Sequence, residues 1–390
     1  MTIVRLGDIC QQSRESIKPG ARPELRYIGL ESIESGSGLF AEGELSKTPD
    51  APMANSFRFG PEHVLYGKLR PYLNKVALAD FEGKCSTEII PLLPSQDIER
   101  AYLAYFLRSG HVVGLISART AGARMPRADM DFIFSLPISL PPLPEQRRIV
   151  DLLSRAEGIV RLRREASRCA AELIPALFLD MFGDPATNPK GWAVEALDSV
   201  AQIISGATKG RRLDPEEGVE LPYMRVANVK DGFLDLTEVK TIVVKRNEVE
   251  KYRLLPGDLL LTEGGDPDKL GRGALWAGAI ETCLHQNHIF KVRADRTRLL
   301  PEYLCELVGS NYGKAYFLRV AKKTTGIATI NRTQLGGFPV VIPSTECQQE
   351  FAERIGSVRS IQSQQSAATV KAQATFDALL ANAFSPSGPT

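Results

Sequence analysis

A long helical pattern follows a proline-rich segment near the middle of the chain. The prolines between Leu136 and Leu143 exclude a helix there, but a helix can begin at Pro144, because proline is tolerated in a first helical turn. From Pro144 to Phe182, apolar residues recur at alternating steps of three and four, as in an amphipathic helix that packs against another helix. The predicted apolar stripe comprises Ile149, Leu152, Ala156, Ile159, Ala166, Ala170, Leu173 and Leu177. Pro175 predicts a kink, or an end to the regular helix about four residues earlier.

The same pattern occurs again 202 residues later in the chain. Residues 338–384 align with residues 136–182 without a gap, and an internal repeat of this length indicates a duplicated architecture. The second helix is more polar than the first. Matched positions include Gln146 with Gln348, Ile159 with Ile361, Leu177 with Leu379 and Phe182 with Phe384. The second predicted stripe comprises Phe351, Ile355, Val358, Ile361, Ala368, Ala372, Phe376 and Leu379.

The regions before the two helices also repeat in order. Short strand-like pieces, punctuated by glycine and proline, favour a mixed sheet, and a helical run and a loop follow them. In the second copy, residues 192–206 predict an opening helix and residues 322–337 predict the loop. The fold class is therefore α+β, with two pseudo-repeated mixed α/β domains joined by two long antiparallel helices that form a coiled coil. The predicted boundaries are 1–142 for the first domain, 143–182 for the central helix, 183–191 for a linker, 192–342 for the second domain and 343–385 for the C-terminal helix.

The composition describes a globular protein with more than one domain. The chain has 390 residues, 43% of them hydrophobic and 24% charged. No apolar run approaches the roughly 20 residues of a membrane helix, no signal peptide is evident, and six scattered cysteines suggest reduced thiols, so we expect a cytoplasmic protein. The net charge of +2 is nearly neutral, so a nucleic-acid surface would require local clustering of basic residues.

Motifs for catalysis are not found in the sequence. It lacks a GxxxxGK[ST] phosphate loop, a GxGxxG after a strand, and the Asn/Asp-Pro-Pro-aromatic tetrapeptide of amino-methyltransferases. His285 and His288 lie in a strand-like run without a third metal ligand nearby. Gly264 and Gly265 open a glycine-rich segment whose spacing fits no phosphate cradle. We therefore predict no catalytic, cofactor or metal site in this chain.

Basic residues in turn-rich segments are the most informative candidates for function. Arginine and lysine contact phosphates and guanine, asparagine suits adenine, and glycine allows the backbone to approach a duplex. The alternative for any one of them is a solvated loop charge, but their occurrence in matching loops of both copies favours DNA binding. In the first copy the candidates are Lys68, Arg70, Arg119, Arg124 and Arg127. In the second copy they are Lys209, Arg211, Arg212, Lys269, Arg272, Lys322, Lys323, Asn331 and Arg332.

These segments together resemble the specificity (S) subunits of type I restriction–modification systems over nearly the whole chain. The most specific segment is LPPLPEQRRIVDLL, which resembles the start of the central helix in that family and is echoed by VIPSTECQQEFAERI. VRLGDIC, YGKLRPYLNKVALADFEGKCSTEI, PGDLLLTEGG and CLHQNHIFKVR resemble parts of its target-recognition domains. The second helix start departs from the pattern, because Ser344, Thr345 and Cys347 replace the Pro-Leu-Pro-Glu phrase. The resemblance implies two target-recognition domains alternating with two antiparallel helices.

The resemblance also implies a non-catalytic subunit that reads a bipartite site in double-stranded DNA. Its expected partners are two copies of an adenine methyltransferase subunit and a motor-nuclease subunit, without any membrane. The methyl donor, ATP and magnesium would be bound by those partners, and the chain would act in the cytoplasm at the nucleoid. Two alternatives remain open from the sequence. One is the specificity subunit of a different multisubunit system, such as one with a fused nuclease–methyltransferase, and the other is an autonomous two-domain DNA-binding regulator.

Overall fold

The computed structural model describes residues 2–41, 43, 54–120, 124–210, 216–266, 270–324 and 326–385. The chain forms two compact units. Unit 1 contains the described residues up to Ala166 together with those from Ser366 onward, and unit 2 contains those from Ser167 to Gln365. Each unit therefore includes the first part of one long helix and the last part of the other.

Unit 1 is a mixed α/β structure. Its elements are β1 (Thr2–Arg5), α1 (Leu6–Ile9), β2 (Cys10–Gln12), β3 (Ser16–Ile17), β4 (Arg26–Ile28), β5 (Ser56–Phe59), β6 (Val64–Gly67), β7 (Val76–Leu78), β8 (Gly83–Ser86), β9 (Ile89–Pro94), α2 (Arg100–Arg108), α3 (Gly110–Ala118), α4 (Met130–Ser135), β10 (Pro137–Leu140) and the start of α5 (Leu143–Phe182). Two four-stranded sheets have the orders β2-β9-β6-β7 and β3-β5-β8-β4, and β1 pairs antiparallel with β10. The pairing of β1 with β10 brings the first strand beside the strand that leads into α5.

Unit 2 has a similar order of elements. They are β11 (Ala193–Ala196), α6 (Leu197–Val200), β12 (Ala201–Ser205), β13 (Gly218–Met224), β14 (Lys240–Lys245), α7 (Val249–Tyr252), β15 (Leu259–Thr262), β16 (Gly264–Gly265), β17 (Gly273–Leu275), β18 (Leu284–His285), β19 (Ile289–Ala294), α8 (Pro301–Gly309), α9 (Asn311–Val320), β20 (Lys322–Thr324), β21 (Ile327–Thr329), α10 (Arg332–Gly336), β22 (Pro339–Ile342) and the start of α11 (Thr345–Ala383). Its sheets have the orders β12-β19-β15-β17, β14-β13-β18 and β16-β21-β20, and β11 pairs antiparallel with β22.

The two long helices pack together within each unit. In unit 1, Val160 of α5 and Phe376 of α11 lie in one hydrophobic core, and Phe384 packs on Tyr102 of α2 with ring centroids 5.0 Å apart. In unit 2, Phe178 and Phe182 of α5 pack on Phe351 of α11 at 5.7 and 5.1 Å. Through such aromatic contacts, the side chains of the long helices form part of the hydrophobic core of each unit.

A buried glutamine fixes the start of α5 to unit 1. The Gln146 side chain is fully buried, and its Oε1 accepts the backbone N–H of Glu99 at 2.8 Å. Its Nε2 donates to the carbonyls of Asp97 at 2.9 Å and Pro141 at 2.8 Å. All three partners are backbone groups at the starts of α2 and α5, so this one side chain satisfies the polar groups where the two helices meet.

The matched glutamine does the same at the start of α11 in unit 2. Oε1 of the fully buried Gln348 accepts the N–H of Leu300 at 2.8 Å. Its Nε2 donates to the carbonyls of Arg298 at 3.0 Å and Pro343 at 2.9 Å. The pair that the sequence repeat aligns is therefore a pair of structural junctions.

Two predictions about the long helices need correction. First, the regular helix does not end before Pro175: α5 continues through this residue to Phe182, because proline removes one ladder hydrogen bond while Ile174, Phe178 and Phe182 remain buried in the unit 2 core. Second, the buried stripe of α5 is shifted by one residue at several positions. Leu152, Ile159 and Leu173 of the predicted stripe are exposed, as is Ile361 on α11. The buried residues are their neighbours Leu153, Val160 and Ile174.

Two loop and helix predictions in unit 2 also need correction. Residues 322–337 contain the β20–β21 hairpin and α10 rather than an extended loop. Residues 192–206 form two strands around the short helix α6, because β11 pairs with β22 and β12 pairs with β19. Strand pairing with distant partners decides both cases.

Candidate nucleic-acid interface

Two basic segments of unit 1 are joined by backbone hydrogen bonds. After β6 ends, the N–H of Lys68 donates to the carbonyl of Glu88 at 2.9 Å, and the Lys68 carbonyl accepts the N–H of Ala128 at 2.8 Å. The N–H of Arg70 donates to the carbonyl of Pro126 at 2.7 Å. The segments around residues 68–70 and 124–128, which are far apart in sequence, therefore lie side by side.

This pairing brings together four of the five basic candidates of unit 1: Lys68, Arg70, Arg124 and Arg127. We call these four residues the basic loop surface of unit 1. Arg70, Arg124 and Arg127 are exposed. Arg127 is held in place by an ion pair with Glu88 at 3.0 Å, and its hydrogen bonds to that carboxylate raise the pKa of the guanidinium. Arg119 has a different environment at the end of α3, where its guanidinium lies 4.6 Å from the ring centroid of Phe132.

Unit 2 has the same backbone connections after β15. The N–H of Glu263 donates to the carbonyl of His288 at 3.0 Å, and the Glu263 carbonyl accepts the N–H of Ile330 at 2.8 Å. Gly264 then pairs with Thr329 of the β20–β21 hairpin. A Cβ on Gly264 would lie 2.7 Å from Cγ2 of Thr329 and 3.0 Å from the carbonyl of Ala328, so this close approach requires glycine.

The hairpin presents two of the predicted cations of unit 2. Lys322 pairs with Thr329 and Lys323 with Ala328, and both lysine side chains are exposed. Alternating residues of a strand point to opposite faces, so the two lysines present charge on both faces of the hairpin. Asn331 and Arg332 follow directly after β21.

The remaining predicted residues of unit 2 have varied surroundings. Asn331 caps α10, because its Oδ1 accepts the N–H of Gln334 at 2.8 Å. Nε of Arg332 donates to the carbonyl of Ile203 at 3.1 Å, which ties α10 to β12. Arg272 is half-buried beside β15, and Lys209 is exposed on a separate loop after β12. Arg211, Arg212 and Lys269 lie outside the described residues.

Exposed apolar residues on the same loops were missed by the sequence interpretation. Met125 is 46% exposed in unit 1, and Ile327, at the position 202 residues later, is 53% exposed in unit 2. Such side chains can contact thymine methyl groups or insert between base steps. Glu263 and His288, whose side chains are 2.8 Å apart, were also missed. Applying the 202-residue repeat to the loops, and not only to the helices, would have matched Met125 with Ile327.

His285 has a structural environment in the core of unit 2. Its ring is fully buried, with Nδ1 2.9 Å from the carbonyl oxygen of Tyr252 and Nε2 3.2 Å from that of Ile204. Burial lowers the pKa of His285 to about 4, with a further contribution from the charge of Lys291, while the hydrogen bonds to the two carbonyls oppose the shift. Among the described residues, no group of three or more His, Cys, Asp and Glu side chains could hold a metal ion.

This buried histidine predicts an acid-sensitive unit 2. Its pKa is lower in the folded chain than its ordinary value of 6.5, so the unfolded chain takes up a proton first as the pH falls. The stability that the neutral ring provides is complete above pH 6.5 and is lost between 6.5 and about 4, by up to about 3 kcal/mol. Urea unfolding at several pH values should show a flatter pH dependence for His285→Gln than for the natural chain. His288→Gln, at an exposed histidine, should keep the natural dependence, and identical profiles for all three proteins would contradict the assignment.

Comparisons with known proteins agree with this architecture. Residues 54–166 match the family described as Type I restriction modification DNA specificity domain. The type I restriction enzyme EcoKI specificity subunit of Escherichia coli (strain K12) is 24% identical over 388 residues, which cover 92% of this chain and 82% of that relative. Residues 54–166 thus match a specificity domain of this type, and most of the chain is similar to the specificity subunits of type I restriction–modification systems, as the sequence predicted.

Two further comparisons show how far the likeness to the specificity family extends. The MjaX relative from Methanocaldococcus jannaschii is 27% identical over 167 residues, 42% of this chain and 39% of that protein. A solved chain from a study of complex assembly and conformational transition of the type I R-M system aligns over 98% of this chain and 97% of its own length. Its TM-score is 0.61 at 21% identity, so it shows a shared fold. No helix in the described ranges is long and apolar enough to span a membrane.

Proposed function

We propose that this chain is a sequence-specific DNA-recognition subunit that reads a bipartite site and positions adenine methyltransferase and motor-nuclease subunits on it. Residues 1–142 and 192–342 are then two pseudo-repeated target-recognition domains, and the helices 143–182 and 343–385 form an antiparallel coiled coil joined through the linker 183–191. The chain itself performs no catalysis. It would act on double-stranded DNA in the cytoplasm, at the nucleoid.

The observation that carries this proposal is the matched construction of the two loop regions. In each unit, one residue directly follows a central strand. Its backbone N–H donates to one distant segment, and its carbonyl accepts a hydrogen bond from a second distant segment. The construction is the same, but the side chains differ: Lys68 in unit 1 corresponds to Glu263 in unit 2. A constant scaffold with different loop chemistry is what two readers of different base sequences require, because base edges are discriminated by side-chain donors, acceptors and apolar groups.

The exposed surface of the long helices supports a role in assembly. On α5 in unit 1, Leu152, Ile159 and Leu162 are exposed although the buried stripe lies on a neighbouring face of the same helix. Several helix arginines pair locally instead, as Arg148 does with Glu145 at 2.7 Å and Arg155 with Asp151 at 3.0 Å. We propose that this apolar stripe binds a methyltransferase subunit, with two such subunits per chain. The methyl donor, ATP and magnesium would be bound by the partner subunits.

Single cation removals test whether the units read separate half-sites. A duplex selected by the full chain from a random-sequence pool provides the target, and each half of it is then scrambled in turn. Arg124→Ala should weaken binding to the intact duplex by roughly 5- to 150-fold, and scrambling the half-site of unit 1 should then have little further effect. Lys323→Ala should show the same behaviour with the other half-site.

The control for both variants is Arg354→Ala, which removes an exposed arginine on α11 that pairs with Glu350. It should bind the selected duplex like the natural chain. An even loss on all duplexes would identify a phosphate contact instead of a base contact. If Arg124→Ala altered discrimination in both half-sites equally, the modular proposal would be wrong.

A further inference from the structure

Unit 1 contains a turn with two left-handed residues that are not glycine. Pro71–Leu73 forms one turn of 3-10 helix between Arg70, with φ of 52°, and Asn74, with φ of 50°. Side chains with a Cβ rarely adopt this conformation, because it brings Cβ close to the backbone carbonyl. Such residues persist only where the surrounding structure imposes them, and they concentrate at functional sites.

The surrounding structure holds the ends of this turn firmly. Asn74 donates from Nδ2 to the carbonyl of Arg108 at 3.0 Å, and its own carbonyl accepts the N–H of Gly36 at 3.0 Å. On the other side, Arg70 is bonded to the carbonyl of Pro126. Pro71 is buried at the base of the turn. Three segments distant in sequence therefore fix the backbone on both sides of Tyr72.

Tyr72 itself is the exposed tip of this rigid turn. Its side chain is 55% exposed, and it makes no side-chain hydrogen bond or ring contact within the described part of the chain. Arg70 is two residues away, and Arg124 lies on the segment that pairs with Arg70. The turn thus presents one bare aromatic ring among the cations of the basic loop surface of unit 1.

We infer that Tyr72 stacks its ring against a nucleobase in the half-site read by unit 1. The inference rests on the proposed DNA-recognition function and adds a residue to it. Cations at the base of the turn would engage phosphates, which brings the ring to the groove. There the ring would insert at a base step and stack on the base that it partly unstacks, and base–aromatic stacking is a recurrent source of affinity. A fixed turn loses little conformational entropy when the ring is immobilised, so the strained backbone serves binding.

Variants of Tyr72 in the full-length chain test the inference on the selected duplex. Tyr72→Phe and Tyr72→Trp keep a stacking ring and should bind within roughly 3-fold of the natural chain, whereas Tyr72→Leu should lose roughly 5- to 150-fold. Ile3→Ala, which alters an exposed side chain on β1, serves as the matched control and should bind normally. Thermal unfolding should be unchanged in all four variants, because both side chains are exposed.

A second readout locates the ring on the DNA. 5-Iodouracil is placed in turn at each thymine of the half-site, and irradiation should cross-link one position to the peptide containing Tyr72, with the cross-link absent for Tyr72→Leu. Failure of the natural chain to select any sequence would overturn the proposed function. If it selects a bipartite sequence while Tyr72→Leu binds equally well or no cross-link forms at Tyr72, the function stands and the stacking inference is wrong. Equal losses in the Phe and Leu variants would likewise overturn stacking, since the hydroxyl would then make the contact.

Discussion

Replacing Gln146 by leucine should lower the free energy of unfolding of unit 1 by about 3–6 kcal/mol, because three backbone groups lose their partner inside the protein. Within the described part of the chain, the Glu99 N–H and the carbonyls of Asp97 and Pro141 bond to this side chain alone, and the side chain is fully buried. Leucine has a similar volume, so the loss would come from unsatisfied polar groups and not from a cavity. Denaturant unfolding followed by hydrogen exchange should show early opening of unit 1.

The matched variant Gln348→Leu should open unit 2 instead, since Gln348 makes the same set of bonds at the start of α11. Gln364→Leu is the control, because that glutamine is exposed on the same helix and should change the stability by less than about 0.5 kcal/mol. If Gln146→Leu unfolds like the natural chain, or if both buried variants weaken the same unit, the junction assignment is wrong.

Glutamate at Leu152, Ile159 and Leu162 together should abolish binding of the methyltransferase subunit while the isolated chain remains folded. Fully burying one large aliphatic side chain contributes about 1.5–3 kcal/mol, and roughly half of each of these side chains is still exposed. Burying the rest of all three would therefore provide roughly 2.5–5 kcal/mol, which is about 70- to 5,000-fold in affinity, and the glutamates add the cost of burying three charges. Co-purification and calorimetric titration of the two subunits would measure this loss. Circular dichroism of the variant should match that of the natural chain, because the three side chains are exposed.

An electrostatic docking surface would give the opposite result. Charge reversal at Arg148 and Arg155 is the matched control on the same helix, and it should weaken assembly only slightly, because these arginines already pair with Glu145 and Asp151 in an exposed setting. If the arginine variant abolishes assembly and the glutamate variant does not, the helix charges bind the partner and the apolar stripe does not.

The sequence predicted a mixed α/β structure with two long helices that pack together, because the repeat locates both helices without any knowledge of side-chain direction. The exact buried face could not be predicted for a physical reason. Leu152 precedes Leu153, Ile159 precedes Val160 and Leu173 precedes Ile174, so each pair offers two apolar residues about 100° apart on the helix. Periodicity therefore does not show which residue of each pair is buried. This depends on which side chains of the same unit pack against the helix.

The sequence predicts the candidate interface as a set of basic loops, but it does not predict how these loops are arranged. The pairing of residues 68–70 with 124–128 depends on backbone hydrogen bonds between distant segments, which leave no local pattern in the sequence. The backbone conformation on both sides of Tyr72 could not be predicted for the same reason, because residue type alone does not show that a particular arginine or asparagine adopts a φ near 50°. The correspondence of Met125 with Ile327 could have been predicted, because the 202-residue repeat aligns the two positions directly.

The discontinuity of unit 1 has a consequence for how the chain acquires its structure during synthesis. Unit 2 uses a single stretch, residues 167–365, and can close as soon as that stretch has left the ribosome. Unit 1 needs Phe376, Leu380 and Phe384, which emerge about 200 residues after Ala166, and until then Ile149 and Val160 lack their partners. The unit made first is therefore completed last, and a nascent chain arrested before residue 366 would carry a closed second unit behind an open first one.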